Sequence, residues 1–169
     1  MKTILWNKDK IILQLKERGI KLNKPVDINT IREFEKTHNI ELPLELVEFY
    51  TSITNGCVMI DGFKLYSFEE WRFNADRIKK RFPFKKYWIW ENGQNDLYDH
   101  SDIENGIIEL IDIGDAQTWN IVVKGEDHGG MWMICDVGIQ PCAPKMTFKE
   151  WFVYWLEGND DFFYGYQCR

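Results

Sequence analysis

The chain has 169 residues, 44% hydrophobic and 28% charged, with a net charge of −6, which suits one soluble domain with a full core and is short for two. No run approaches the ~18 apolar residues of a membrane span, and the apolar start Ile4-Leu5-Trp6 meets Lys8, Asp9 and Lys10 before it reaches the roughly 7–15 residues of a secretory core. Cys57, Cys135, Cys142 and Cys168 lie far apart without a C-x-x-C pair, so zinc-ribbon and redox readings lose their main support and reduced thiols in a cytoplasmic protein are expected.

Taken in chain order, Lys8–Arg18 is a short helix with Ile11, Ile12 and Leu15 on its apolar side and Gly19 at its end. Asp27 or Asn29 can cap a second helix, in which Ile28, Ile31, Phe34 and His38 recur at helical spacing. In "ELPLELVEFYTSITNG" (41–56), Pro43 suits a first helical turn, Leu46, Val47, Tyr50 and Ile53 form a buried face, and Asn55-Gly56 is the stop. A strand fits 62–66. Ser67-Phe68-Glu69-Glu70 is a capping box, and it predicts a helix with Phe68, Trp71, Ala75, Ile78 and Phe82 on one face, ended by Pro83. Tyr87–Trp90 is a candidate strand and 91–106 reads as turns and loop. "IIELIDIG", "WNIVVKG" and "MWMICDVG" are strand-like runs, each closed by glycine. Thr147–Glu150 is a second capping box, opening a helix with Phe148, Trp151, Phe152 and Trp155 on one face and Gly158 as its stop. Helices, then consecutive strands, then a closing helix predict an α+β domain, an antiparallel sheet packed by helices.

Charge is segregated along the chain. Arg72, Arg77, Lys79, Lys80, Arg81, Lys85 and Lys86 face one acid, Asp76, whereas Glu91–Asp127 carries ten acids against Lys124. The two blocks either neutralise each other in the fold or offer opposite patches to partners. "RIKKRFPFKKYW" interleaves bases and aromatics as strand-binding surfaces do, but the acidic balance argues against a nucleic-acid partner.

No catalytic site, metal site or cofactor is expected. Glu126-Asp127-His128 suggests a metal or proton-transfer triplet, yet consecutive turn residues splay apart, and the polar, glycine-rich "KGEDHGG" is what a strand connection needs. His100 and Asp102 form an H-x-D pair that, even with His128 and Asp112, meets no metalloenzyme spacing. His38 ends a helix, where an imidazole can face the terminal carbonyls. Nucleophile and phosphate-loop motifs are absent, and no base near Cys57 suggests activation.

The segment 41–56, with "ELIDIGDAQTWNIVV" (109–123), "GGMWMICD" (129–136) and "TFKEWFVYWLEG" (147–158), resembles SUKH superfamily domains, the group of fungal cell-wall synthesis regulators and bacterial immunity proteins. The resemblance runs in order from about Asp27 to Gly158. It departs at Asp115-Ala116-Gln117-Thr118, less glycine-rich than usual, and at Cys135-Asp136-Val137, where an aromatic-Asp-His run is frequent. It implies a SUKH-like single α+β domain at 27–158, after an N-terminal helical extension (1–26) and before a C-terminal tail (159–169). It also implies a non-enzymatic protein that blocks a cognate toxin, such as a nuclease, in the producing cell.

An acidic inhibitor would be steered to the positive surface such a toxin presents to phosphate. The expected partner-binding residues are Asp96, Asp99, Asp102 and Glu104 in the loop, Asp115, Glu126 and Asp127 at strand turns, and Trp119 and Trp132 as anchors. The alternatives are a regulatory or scaffold protein of cell-wall or signalling pathways, and a metal-dependent hydrolase using His100, His128 and nearby acids.

Overall fold

The computed structural model describes residues 6–90 and 97–163. Helix α1 (Lys8–Glu17) starts at Asn7, whose side chain accepts from the Lys10 N–H, and buries Ile11 and Leu15. Helix α2 (Ile28–His38) is capped by the Asp27 carboxylate, 2.7 Å from the Asn29 nitrogen, and closes on Asn39 in the left-handed conformation. Helix α3 (Leu44–Ser52) follows Pro43 and buries Leu46, Val47, Phe49 and Tyr50. The expected Thr147–Glu150 capping box opens α4 (Phe148–Leu156), which buries Phe148, Trp151, Phe152, Trp155 and Leu156. None of the described helices is long and apolar enough to cross a membrane.

The strands are β1 (Cys57–Val58), β2 (Lys64–Leu65), β3 (Trp88–Ile89), β4 (Ile107–Asp112), β5 (Thr118–Val122), β6 (Met131–Ile134) and β7 (Gly138–Pro141). Strands β1 and β2 form a small hairpin. The others make one antiparallel sheet in the order β3-β7-β6-β5-β4. The architecture is therefore α+β, as expected. Strand β7 was not foreseen, since "GIQP" is short, begins with glycine and ends with proline.

Period-two alternation sends Ile108, Trp119, Ile121, Met131 and Met133 to the face covered by α3 and α4, where they join Phe49, Phe148, Trp151 and Phe152. Trp6, Ile11 and Leu15 from the N-terminal extension and Phe163 from the tail enter the same core. On the opposite face Ile107, Val122, Trp132 and Ile139, with Trp88 of β3, pack against Phe82 and Phe84 in a second apolar cluster. Fully burying each such side chain is worth on the order of 1.5–3 kcal/mol, so a second cluster fixes the outer cover as firmly as a small core.

The helix expected over 68–82 is corrected. The Ser67/Glu70 capping box forms, but it opens only a single 3-10 turn, Phe68–Glu70. Beyond it the Arg72 backbone pairs with Glu109 on the β4 edge, and the Asn74 side chain accepts from the Asp76 N–H. The apolar residues that seemed to share a helix face divide between clusters: Trp71 and Ile78 join the main core, Phe82 the outer one. No straight helix can serve both.

Candidate functional site

The outer cover reaches Ile107 and Val122 but stops short of the later part of β4 and the start of β5. There Glu109, Thr118, Asn120 and Ile134 form the floor of a cleft of about 460 Å³, walled by Arg72-Phe73-Asn74, Ile103-Glu104 and Ala116. Strand register sets this floor: Glu109 lies opposite Asn120, and Thr118 opposite Ile134. A bulge follows immediately, because pairing steps from Glu109–Asn120 to Ile111–Trp119 and leaves Leu110 as the extra residue. The Leu110 carbonyl then accepts from the Tyr66 N–H, tying the β2 end to the edge of β4.

The polar groups of the cleft are mutually positioned. Glu109 Oε1 accepts from the Tyr66 hydroxyl at 3.0 Å and lies 3.4 Å from Arg72 Nη1, whose guanidinium sits 5.0 Å over the Tyr66 ring. Burial pushes the Glu109 carboxyl above its ordinary range, tempered by the Tyr66 hydrogen bond and the Arg72 charge. Burial, and then the Glu109 charge, push the Tyr66 hydroxyl up as well. Asn74 Nδ2 donates to Glu104 Oε2 at 3.1 Å. Asn120 is only 2% exposed, and its Nδ2 donates to the Thr118 carbonyl, the Thr118 hydroxyl and, at 3.5 Å, the Trp132 carbonyl. The two carbonyls can only accept, which fixes the amide orientation, and Oδ1 accepts no hydrogen bond from the described residues.

Of the expected acids, one lines this cleft and two lie on segments that border it. Glu104 lines it. Asp99 caps the 3-10 turn that carries Glu104, and exposed Asp115 precedes the lining residue Ala116. Asp102 belongs to the same turn but is engaged locally, accepting from the Asp99 N–H and standing 3.7 Å from Arg77. Asp96 lies outside the described residues.

Glu126, Asp127 and His128 lie elsewhere and splay in three directions, as the turn reading required. Glu126 pairs with Arg81 at 3.0 Å and Lys85 at 3.2 Å, Asp127 accepts from the Trp132 indole N–H, and His128 Nε2 meets the Glu41 carbonyl at 2.6 Å. Each side chain anchors the connection to a different part of the fold. Trp119 and Trp132, expected as anchors, are corrected: at 3% and 0% exposure they pack into the two apolar clusters and present no surface.

The oppositely charged blocks meet through Arg72–Glu109, Arg77–Asp102, Arg81–Glu126 and Lys85–Glu126. Backbone pairing brings them together, since Gly106 donates to the Arg77 carbonyl and Phe82 donates to that of Lys124. Among the described residues no three His, Cys, Asp or Glu side chains gather as a metal site. His100 packs on Trp90 and His38 on Phe34 and Phe73. Cys57, Cys135 and Cys142 are buried and free, with burial pushing the Cys57 and Cys142 thiols up to about 12.

Comparison of the chain with protein-family models, with curated proteins and with solved structures found no match.

Arg72, Phe73, Glu109, Thr118 and Asn120 were not anticipated at a site. One signal was available. In "TWNIV" the alternation puts Thr118 and Asn120 on one face of an otherwise apolar strand, polar groups that need a reason to be there.

Proposed function

We propose that the chain is a non-enzymatic protein-binding domain of the SUKH type, an immunity protein that acts in the cytoplasm by covering a positively charged surface of a cognate toxin. One observation carries the proposal: the loop bearing Asp99 and Glu104 and the turn bearing Asp115, distant in sequence, border the same open cleft. Acids grouped around a concavity both steer a basic partner and give it somewhere to dock. Glu126 and Asp127 are assigned instead to holding the β5–β6 connection, because neither lines the cleft and their carboxylates engage Arg81, Lys85 and the Trp132 indole.

The test is co-purification with the product of the neighbouring gene, and protection of cells expressing it. Reversing Asp99, Glu104 and Asp115 together to Lys weakens the complex at least tenfold and slows association at low salt. An unchanged affinity, with the variant folded, sinks the proposal.

A further inference from the structure

Resting on that reading of the cleft as a docking surface, we infer that its floor is a socket for the guanidinium of an arginine side chain supplied by the protein partner. Beside the Arg72 guanidinium, the Asn74 amide and the Thr118 hydroxyl, the cleft offers three acceptor groups, on Glu104, Glu109 and Asn120. Asn120 Oδ1 accepts no hydrogen bond from the described residues, while its amide nitrogen is committed to two carbonyls and a hydroxyl. Glu109 receives both of its bonds on Oε1, and Glu104 receives its bond on Oε2, so each carboxylate keeps a second oxygen for a visitor. Guanidinium is the side-chain group that is donor-only and planar and presents five N–H groups, so it can reach several such acceptors at once.

Other occupants fit less well. An anion would meet two carboxylates, offset by Arg72 alone. A purely apolar group would cover the Asn120 acceptor on the cleft floor without giving it a partner, which costs the desolvation of that oxygen. Lysine offers a compact, strongly hydrated ammonium, whereas the walls include the Phe73 ring and the Ile103 and Ile107 side chains, surfaces that suit a weakly hydrated planar cation and its stem.

The chain already shows the chemistry in miniature. Arg72 takes the Glu109 carboxylate while lying over the Tyr66 ring, and its side chain is 63% exposed. A partner arginine reaches the same carboxylate from the Asn120 side and leaves Arg72 at the rim. The carboxylates of Glu104 and Glu109 against Arg72 leave the lining one negative charge in excess, which a single guanidinium neutralises.

The experiment is a titration of the full-length, isotope-labelled protein, followed by amide NMR shifts, with N-acetyl-arginine-amide, its uncharged citrulline counterpart, the lysine counterpart and free arginine. The expected result is saturable shifts at Glu104, Glu109, Thr118 and Asn120 with the arginine amide, at least tenfold weaker binding of citrulline, and weaker binding of lysine. Glu104→Gln and Glu109→Gln each weaken arginine-amide binding several-fold. Glu104 is exposed at the rim, so its variant stays informative even where the Glu109 change disturbs the floor. Citrulline binding equal to arginine, shifts centred elsewhere, or indifference to Glu104→Gln overturns the inference. Free arginine binding more tightly than the amide assigns the cleft to a small molecule, which also overturns it. If the arginine amide does not bind while the toxin complex still forms, the socket fails and the immunity reading survives.

Discussion

Asp127 holds the indole of Trp132: its carboxylate accepts from the Trp132 N–H, although the tryptophan is wholly buried and five residues away across the β5–β6 connection. A buried indole N–H without an acceptor costs about 1–3 kcal/mol. Asp127→Ala therefore lowers stability by about that amount, and Asp127→Asn, which keeps a carbonyl oxygen, loses less. Gly130 completes the arrangement, since a Cβ there would meet the Asp127 carboxylate. Gly130→Ala destabilises through the same contact, so Gly130→Ala and Asp127→Ala are non-additive in a denaturation double-mutant cycle. Additive effects would show that the two residues act separately.

Gly106 is where the basic and acidic blocks are joined. Its φ is +62°, and a Cβ would stand 2.6 Å from both the Lys80 and the Lys124 carbonyl oxygens. Neither neighbour is a side chain that can swing aside. Gly106→Ala is expected to cost more than about 2 kcal/mol, combining left-handed strain with two backbone clashes. The variant should also loosen the 77–82 segment, read as faster amide exchange at Phe82 and Val123, whose N–H groups bond to Lys124 and Gly106. A midpoint near that of the parent chain would refute this role.

Helices α1, α2, α3 and α4 were legible because their caps and apolar spacing are local, and β4, β5 and β6 because each is a β-rich run closed by glycine. The segment 68–82 was misread because helical spacing is silent on which core each apolar residue enters, and here Ile78 and Phe82 enter different ones. At the cleft, the acids of the 99–104 loop and Asp115 were visible as charge. Glu109 and Asn120 were not, since their pairing depends on a register that the Leu110 bulge ends. Trp119 and Trp132 looked available as anchors because composition counts aromatics without showing that both sheet faces would consume them.

Lys64 and Ser67 hold the Glu70 carboxyl at about 2, well below its ordinary value of 4.5, chiefly through the Lys64 hydrogen bond. A depressed folded-state value means the contribution is fully present above about 4.5 and is lost as pH falls towards about 2. Glu70→Gln therefore loses stability at neutral pH and converges on the parent chain in acid. Denaturation midpoints from pH 2 to 7 check this, and a gap that widened in acid would contradict it. The pair is largely exposed, so the gap is small and shrinks with added salt.

Glu109 has the opposite sign. Burial on the sheet raises its carboxyl above 4.5, so between that value and the raised one the folded state binds more protons than the unfolded chain. Its contribution to stability accordingly falls as pH rises through that window and levels off above it. Glu109→Gln carries no titrating group, keeps a carbonyl acceptor for the Tyr66 hydroxyl, and so gains on the parent chain as the buffer moves from pH 4 to pH 7. Arg72→Met removes the cation that restrains the shift, moves the carboxyl further up, and extends the falling limb to higher pH. Urea denaturation of the three proteins at half-unit intervals separates the cases. A Glu109→Gln variant that lost ground as pH rose would mean that Tyr66 and Arg72 outweigh burial, and that the floor of the cleft favours the ionised acid.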